Sequence, residues 1–264
     1  MVRHGLSASA TACLLLVGAA SAQDPGQLRV CADPDNMPFS NKEGEGLENR
    51  IAEVVGRELR MPVSYFWWPQ QRGFVRHTLN ENQCDVLIGV PHDFDLVLTT
   101  KPYYRSTYVV VSREAAHLAI RSFDDPALKR LRIGVHMDTP PSGALAERGL
   151  AANLHEYPLM FDYRLSDPSR RPTKVLEDVA NGALDVAFVW GPMAGWYAKK
   201  NGAPLAVVPV RDTGKIPMSF EMSMGVRRSD KELKARLEAA IDRRRADIDK
   251  ILADYGIPVV GKER

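Results

Sequence analysis

Cysteine is scarce in this chain: Cys13, Cys31 and Cys84 are the three in 264 residues. That is too few for a small disulfide-stapled fold, and they lack the paired spacing of a thiolate metal site. A surplus of one charge is also lacking, since 35 Lys plus Arg stand against 33 acids. The one dense basic run, Arg243-Arg244-Arg245, falls in a predicted surface helix. A chain that neutralises many phosphates would carry a larger or more clustered excess, so a nucleic-acid partner is not expected. No segment beyond the N-terminus is apolar for long enough to cross a bilayer, so no membrane insertion is expected. Signatures of common chemistry are missing as well. There is no G-x-S-x-G elbow, no S-x-x-K set and no glycine-rich phosphate loop after a strand. His77, His92, His117, His136 and His155 show no ligand spacing. The carboxylates Asp33 with Asp35, and Asp93 with Asp95, carry little weight as an acid and base without a further reacting group. The expectation is a protein that is not an enzyme, with no catalytic residue, metal or cofactor.

What is present begins with an export signal. Met1 to Ala22 has a basic start (Arg3, His4), an apolar centre at Leu14-Leu15-Leu16-Val17, and Ala20-Ser21-Ala22 before Gln23, the pattern of a cleaved signal peptide leading to the periplasm. Cys13 does not sit at the cleavage boundary, which favours a soluble form over a lipid-anchored one. Loss of Arg3 leaves a net charge of +1 and two cysteines. An oxidising compartment and an even count favour a Cys31–Cys84 disulfide, with two buried thiols as the alternative.

The mature chain is organised around Arg29 to Phe39. An apolar strand, Leu28 to Ala32, ends in Asp33-Pro34-Asp35-Asn36-Met37-Pro38, where two prolines and short polar side chains cannot continue a ladder. The chain is expected to leave a sheet there and form one lip of a cleft, because ligand crevices in open α/β sheets lie at the carboxyl ends of strands. Leu47, Ile51, Val54, Val55 and Leu59 recur at helical spacing, with Glu48, Arg50, Glu53 and Arg57 assigned to the other side. Strands over Pro62 to Trp68 and Asp85 to Val90, with a short helix over Phe74 to Leu79 between them, complete a parallel βαβ pattern.

A second cycle follows the β-rich stretch Tyr103 to Ser112. It reads as a strand at Leu131 to Val135, helices at Ser142 to Arg148 and Thr173 to Ala180, a buried strand at Leu184 to Trp190, a helix at Met193 to Lys200 and a strand at Leu205 to Val210. NENQCDVLIGVP and ANGALDVAFVWGP echo each other, which suggests two similar lobes. Phe220 to Val226 reads as a strand returning to the first lobe. Ser229 with Glu232 has the spacing of a capping box, opening one long helix that closes at Gly256.

This order of elements resembles the type II periplasmic solute-binding proteins. The likeness rests on Pro38-Phe39, Gly46-Leu47-Glu48, Thr99-Thr100-Lys101-Pro102-Tyr103-Tyr104, Gly134-Val135 and Tyr255-Gly256-Ile257. CADPDNMPFSNKEGEGLENRIAE, YFWWPQQRGFVRHTLNENQCDVLIGVP and DVAFVWGPMAGWYA resemble a narrower group, the quinoprotein dehydrogenase-associated proteins of the MxaJ/XoxJ type. The resemblance implies an α/β fold of two lobes, each a mixed sheet flanked by helices. Residues 23–109 with 222–264 would form one lobe and 110–221 the other, joined by two crossings near Val110 and Glu221. It also implies a monomeric periplasmic protein that assists a PQQ-dependent methanol dehydrogenase by protein contact. The alternative is an importer subunit binding PQQ, a metal chelate or another solute. Amino-acid-binding members carry an Arg after the third strand and an Asp at the end of the matching second-lobe strand. Asp93 and Trp190 stand at those places. The expected cleft residues are Asp35, Asn36, Met37, Phe39, Trp67, Trp68, Arg72, His92, Asp93, Phe94, Tyr104, Arg105, Thr139, Trp190 and Pro192.

Overall fold

A computed structural model of the chain describes residues 26–160, 167, 170–210 and 215–261. The expected signal peptide lies outside the described residues. Apolar β1 (Leu28–Ala32) leads into a two-residue hairpin, β2 (Asp35–Asn36) against β3 (Ser40–Asn41). The Asp33–Pro38 stretch, expected not to continue the ladder, thus leaves its sheet, but Asp35 and Asn36 pair briefly with Asn41 and Ser40. The turn between the two short strands contains a cis Met37–Pro38 bond.

Helix α1 (Leu47–Leu59) follows, capped at Gly46, whose N–H donates to Asn49 Oδ1 at 3.0 Å. A side chain at Gly46 would overlap the Phe39 carbonyl, so glycine is needed there for close approach rather than for its dihedral angles. Leu47, Ile51, Ala52 and Val55 of α1 are fully buried against the sheet. The helix ends at Arg60 in a left-handed conformation and leads into β4 (Val63–Trp67), parallel to β1. A single turn, α2 (Phe74–His77), precedes β5 (Leu87–Pro91) and the short β6 (Leu98–Thr99). Val30 bridges Val86 in parallel, and there the Cys31–Cys84 disulfide forms with a Cα separation of 5.3 Å.

The long strand β7 (Tyr104–Arg113) is shared between two bodies of structure. The second body contains β8 (Ile133–His136), α3 (Pro140–Glu147), β9 (Leu154–Tyr157), α4 (Lys174–Ala180), β10 (Val186–Trp190), α5 (Gly191–Asn201) and β11 (Leu205–Pro209). The returning β12 (Ser219–Val226) is antiparallel to both β5 and β7. Residues 104–107 of β7 pair with β12 and residues 108–112 with β10, so the change of partner falls between Thr107 and Tyr108. One apolar core gathers side chains from residues 28–104 and 222–257, while Val110, Ile133, Phe188 and Met218 belong to another.

The C-terminal helix departs from expectation. It is two helices, α6 (Lys231–Arg243) and α7 (Arg245–Asp254), broken at Arg244. Glu58 accepts the Nε of both Arg243 and Arg244, one on each oxygen. Consecutive residues of an α-helix point about 100° apart, so one carboxylate holding both favours a break. The capping box does not form either. The cap is Asp230, and Ser229 spends its hydroxyl on the Asp230 carboxylate at 2.8 Å.

Candidate functional site

The loop after β1 is held by a buried carboxylate. Asp33 accepts the N–H of Asp35 at 2.8 Å on one oxygen and the N–H of Gln70 on the other, while its carbonyl accepts the Ser40 hydroxyl at 2.7 Å. Asn36 donates to Gln70 Oε1 at 2.8 Å. These bonds fix the lip and aim Asp35 outward to Arg171, Nη2 to Oδ2 2.9 Å, which no sequence pattern signals. The segment that carries Arg171 is itself anchored. Pro172 takes His136 Nε2 at 2.9 Å, and burial pushes the basicity of that imidazole down. Thr139, at the cap of α3, donates its hydroxyl to the His136 carbonyl at 2.7 Å and is buried.

Trp190 ends β10 in an aromatic cluster. Its ring centroid lies 5.2 Å from Tyr108 and 6.0 Å from Phe220, and the latter two are 6.4 Å apart, all edge-on. Burial raises the Tyr108 hydroxyl to about 12. Tyr108 and Phe220 were not among the expected cleft residues. Their alternation along β7 and β12 was readable, but the pairing that brings them to Trp190 is not local. Pro192 is buried in the first turn of α5.

Next to Phe220 is an open cavity of about 450 Å³ lined by His92, Asp93, Arg105, Pro217, Ser219 and Glu221. His92 Nδ1 is 3.0 Å from the Ser223 hydroxyl, and its Nε2 lies 3.5 Å from the Asp93 carboxylate, which is exposed. Arg105 donates from Nη2 to Ser219 at 2.8 Å, while its Nε is buried with no hydrogen-bond partner among the described residues.

The other expected residues are dispersed. Trp67 stacks on Tyr65 at 4.7 Å beside the first core. Trp68 stacks on Phe66 and tilts on His77, 5.7 Å away, facing α2. Phe94 packs in that same small cluster, and Arg72 is exposed. Phe39 and Met37 are half-buried, Phe39 against the first core. Tyr104 is buried in the core, and its hydroxyl has no partner among the described residues.

Glu48 corrects the helical-wheel assignment. It lies not on the outer face but against the sheet, so close to Gly89 that a side chain there would overlap its carboxylate. The reason was legible: Glu48 heads the stripe Ile51, Ala52, Val55 and Leu59 at i+3, i+4, i+7 and i+11. Desolvation, helped by the nearby Asp33 charge, pushes its carboxyl up to about 8.

The profile of bacterial extracellular solute-binding proteins matches residues 90–257. The chain belongs to this family. MoxJ of Methylorubrum extorquens is 35% identical to this solute-binding protein over 257 residues, covering 91% of this chain and 84% of MoxJ. The crystal structure of the periplasmic binding protein XoxJ from Methylobacterium extorquens AM1 superposes with a TM-score of 0.74 at 38% identity, over 89% of this chain and 100% of that one. The structure of MxaJ from Methlophaga aminisulfidivorans MPT gives 0.78 at 29% identity, over 89% and 100%. The fold is that of a type II periplasmic binding protein. Among the described residues of this family member, no helix is long and apolar enough to cross a membrane and no group of three His, Cys, Asp or Glu could hold a metal ion.

Proposed function

We propose that this protein is a periplasmic, binding-protein-like accessory factor that assists a PQQ-dependent methanol dehydrogenase in maturation, activation or stabilisation through protein contact. The relatives named MoxJ, XoxJ and MxaJ support the link to methanol oxidation. The observation that carries the reading is the Trp190–Tyr108–Phe220 cluster. It fills with aromatic rings the place where an amino-acid importer would present a carboxylate to an ammonium group, and Asp93 supplies the wrong sign for a carboxylate at the other pole. Within this reading, residues 23–109 with 222–264 form one lobe and 110–221 the other, and Asp35, Trp68, Arg72 and Phe94 belong to a surface that meets a protein. The test is capture of the apo-dehydrogenase by the purified protein, together with dehydrogenase activation assayed with and without it. Association with faster or fuller activation is expected. Neither contact nor effect would sink the reading.

A second reading, an importer subunit carrying a small solute, draws on the hinge cavity at Arg105. Calorimetry against PQQ and metal chelates separates the two: tight binding accompanied by compaction in solution scattering favours the importer.

A further inference from the structure

Strand β4 is an open edge. Its register with β1 is unbroken from Val63 to Trp67, and among the described residues no strand pairs with its other side. The Pro62 carbonyl accepts the Leu28 N–H and the Trp68 N–H donates to the Ala32 carbonyl, both at 2.9 Å. Backbone groups alternate in direction along a strand, so those of Val63, Tyr65 and Trp67 point away from β1. Edges of this length are ordinarily blunted by a charge, an internal proline, a bulge or a covering element. The strand VSYFW has no charge, no proline and no bulge, and Pro62 and Pro69 stand only beyond its ends. Its side chains are braced instead. Tyr65 stacks on Trp67 at 4.7 Å on one face and Phe66 on Trp68 at 6.4 Å on the other, and every residue of the strand is half-buried.

A cationic groove opens where this edge begins. It measures about 560 Å³, and Arg60, Arg236 and Arg243 line it with Glu58 and Glu232. Glu58 is already held by Arg243 and Arg244 together. Arg60, in the left-handed cap of α1, has no ion pair among the described residues, and Arg236 touches the sulfur of Met61, just before β4, at 3.3 Å. Four guanidinium groups thus stand there against two carboxylates.

We propose that β4 docks an extended segment of another protein as an added strand, antiparallel to β4, with the carboxylates of its C-terminal end in the arginine groove. Main-chain hydrogen bonds supply the affinity in such pairing, and alternate side chains supply the choice of sequence. Antiparallel addition brings the C-terminal end of the segment to Met61 and Arg60. Two acidic residues there complement Arg60 and Arg236, the guanidiniums that Glu58 does not hold. An aromatic side chain opposite Tyr65 extends the stack on that face. No residue of β4 lines the cavity beside Phe220. The inference goes beyond the accessory role and does not rest on it, because the probes are synthetic peptides and no dehydrogenase is present.

The experiment follows the fluorescence anisotropy of labelled, N-acetylated and C-amidated peptides titrated with the full mature protein. TVYVTDE should bind saturably. TVYVTNQ, which lacks the acidic end, and EDTVYVT, which carries it at the other end, should each bind about three- to tenfold more weakly, the loss expected for two exposed ion pairs. TVYVTDE methylated on the backbone nitrogens of its third and fifth residues should not bind, because those N–H groups face β4. Arg60→Glu combined with Arg236→Glu should weaken TVYVTDE to the level of TVYVTNQ and leave TVYVTNQ unchanged. Tyr65→Pro should abolish binding of both, since it removes an outward N–H from an edge position where proline is tolerated; thermal melts establish that each variant is folded. If Tyr65→Pro does not fold, the methylated peptide decides. No saturable binding of TVYVTDE, or equal binding of the methylated peptide or of EDTVYVT, would overturn the proposal. So would a dimer of the free protein, seen by light scattering and dissociated by Tyr65→Pro, because a second copy would then occupy the edge. Capture of the dehydrogenase is measured separately, so either result can fail alone.

Discussion

Arg171 and Asp35 meet across 136 positions of chain, guanidinium to carboxylate at 2.9 Å, and tie the lip after β1 to the segment entering α4. Both side chains keep solvent access, 50% and 31%, so the pair organises more than it stabilises. A double-mutant cycle with Asp35→Ala and Arg171→Ala, read by urea unfolding, should give a coupling energy below about 1 kcal/mol. A coupling of several kcal/mol would mean that the lip is a stability element in its own right.

Glu48 makes stability depend on pH. Its carboxyl is raised from 4.5 to about 8 in the folded chain. Between those values the native state holds a proton that the unfolded state has released, so the Glu48 contribution falls as pH rises from about 4.5 to 8 and levels off above. Glu48→Gln should flatten that slope and raise stability at pH 8 by on the order of 1–3 kcal/mol, after allowance for partial solvent access. Urea midpoints at pH 5 and pH 8 check this. An unchanged slope would show that Glu48 stays ionised in the native state.

Trp190→Asp, which puts a carboxylate where the resemblance expects the importers' Asp, should not create an amino-acid site. It removes the ring between Tyr108 and Phe220 and leaves a charge among aromatic walls, costing about 2–4 kcal/mol. Trp190→Phe should cost less than half as much. Unfolding curves give the stabilities, and calorimetry against amino acids should detect no binding to the Asp variant while Asp93 remains.

The second contact between the two bodies lies at α5. Gly195 is so near the Gly256 carbonyl that a side chain would overlap it, and Gly191 is similarly close to the Thr107 carbonyl and 2.6 Å, measured from a notional Cβ, from Pro258. The C-terminal segment is pinned there by Ser106, whose hydroxyl donates to the Pro258 carbonyl at 2.7 Å, and by Val260 N–H to the Arg105 carbonyl at 3.0 Å. Gly195→Leu should therefore destabilise by about 1–3 kcal/mol through overpacking. Limited proteolysis should show earlier release of the C-terminal segment. Wild-type protection in the Leu variant would rule the contact out as a brace.

The Cys31–Cys84 bond closes a separation of 53 residues. Loop-closure entropy puts its contribution at about 4 kcal/mol, within a usual range of 2–5. A Cys31→Ala, Cys84→Ala double variant should lose that much in urea unfolding at matched pH. A loss under about 1 kcal/mol would indicate that the reduced chain already holds these strands together.

Much of the architecture was legible in local pattern. Hydrophobic periodicity located β1, α1, β5, β7, β10 and β12 to within a few residues, because each buries a face whose spacing is written into consecutive positions. A disulfide between the two cysteines was favoured mainly by the oxidising compartment and the even count, with their closeness in a parallel βαβ order as support. The capping box at Ser229 and the unbroken terminal helix were misread for a tertiary reason: Asp230 and Glu58 compete for the groups that local rules assign elsewhere. Glu48 was misplaced although its spacing carried the signal, because carboxylates are ordinarily solvated.

By itself the sequence determined most of the alternation of strands and helices, since that spacing is written into consecutive positions, and it favoured a Cys31–Cys84 disulfide over two thiols. Tertiary structure alone decided that Arg171 reaches Asp35, that Trp190 meets Tyr108 and Phe220, and that Arg105 lines a cavity with His92 and Ser219. Those relationships join strands and loops from distant parts of the chain, and their geometry depends on sheet register and crossing, which no local spacing encodes.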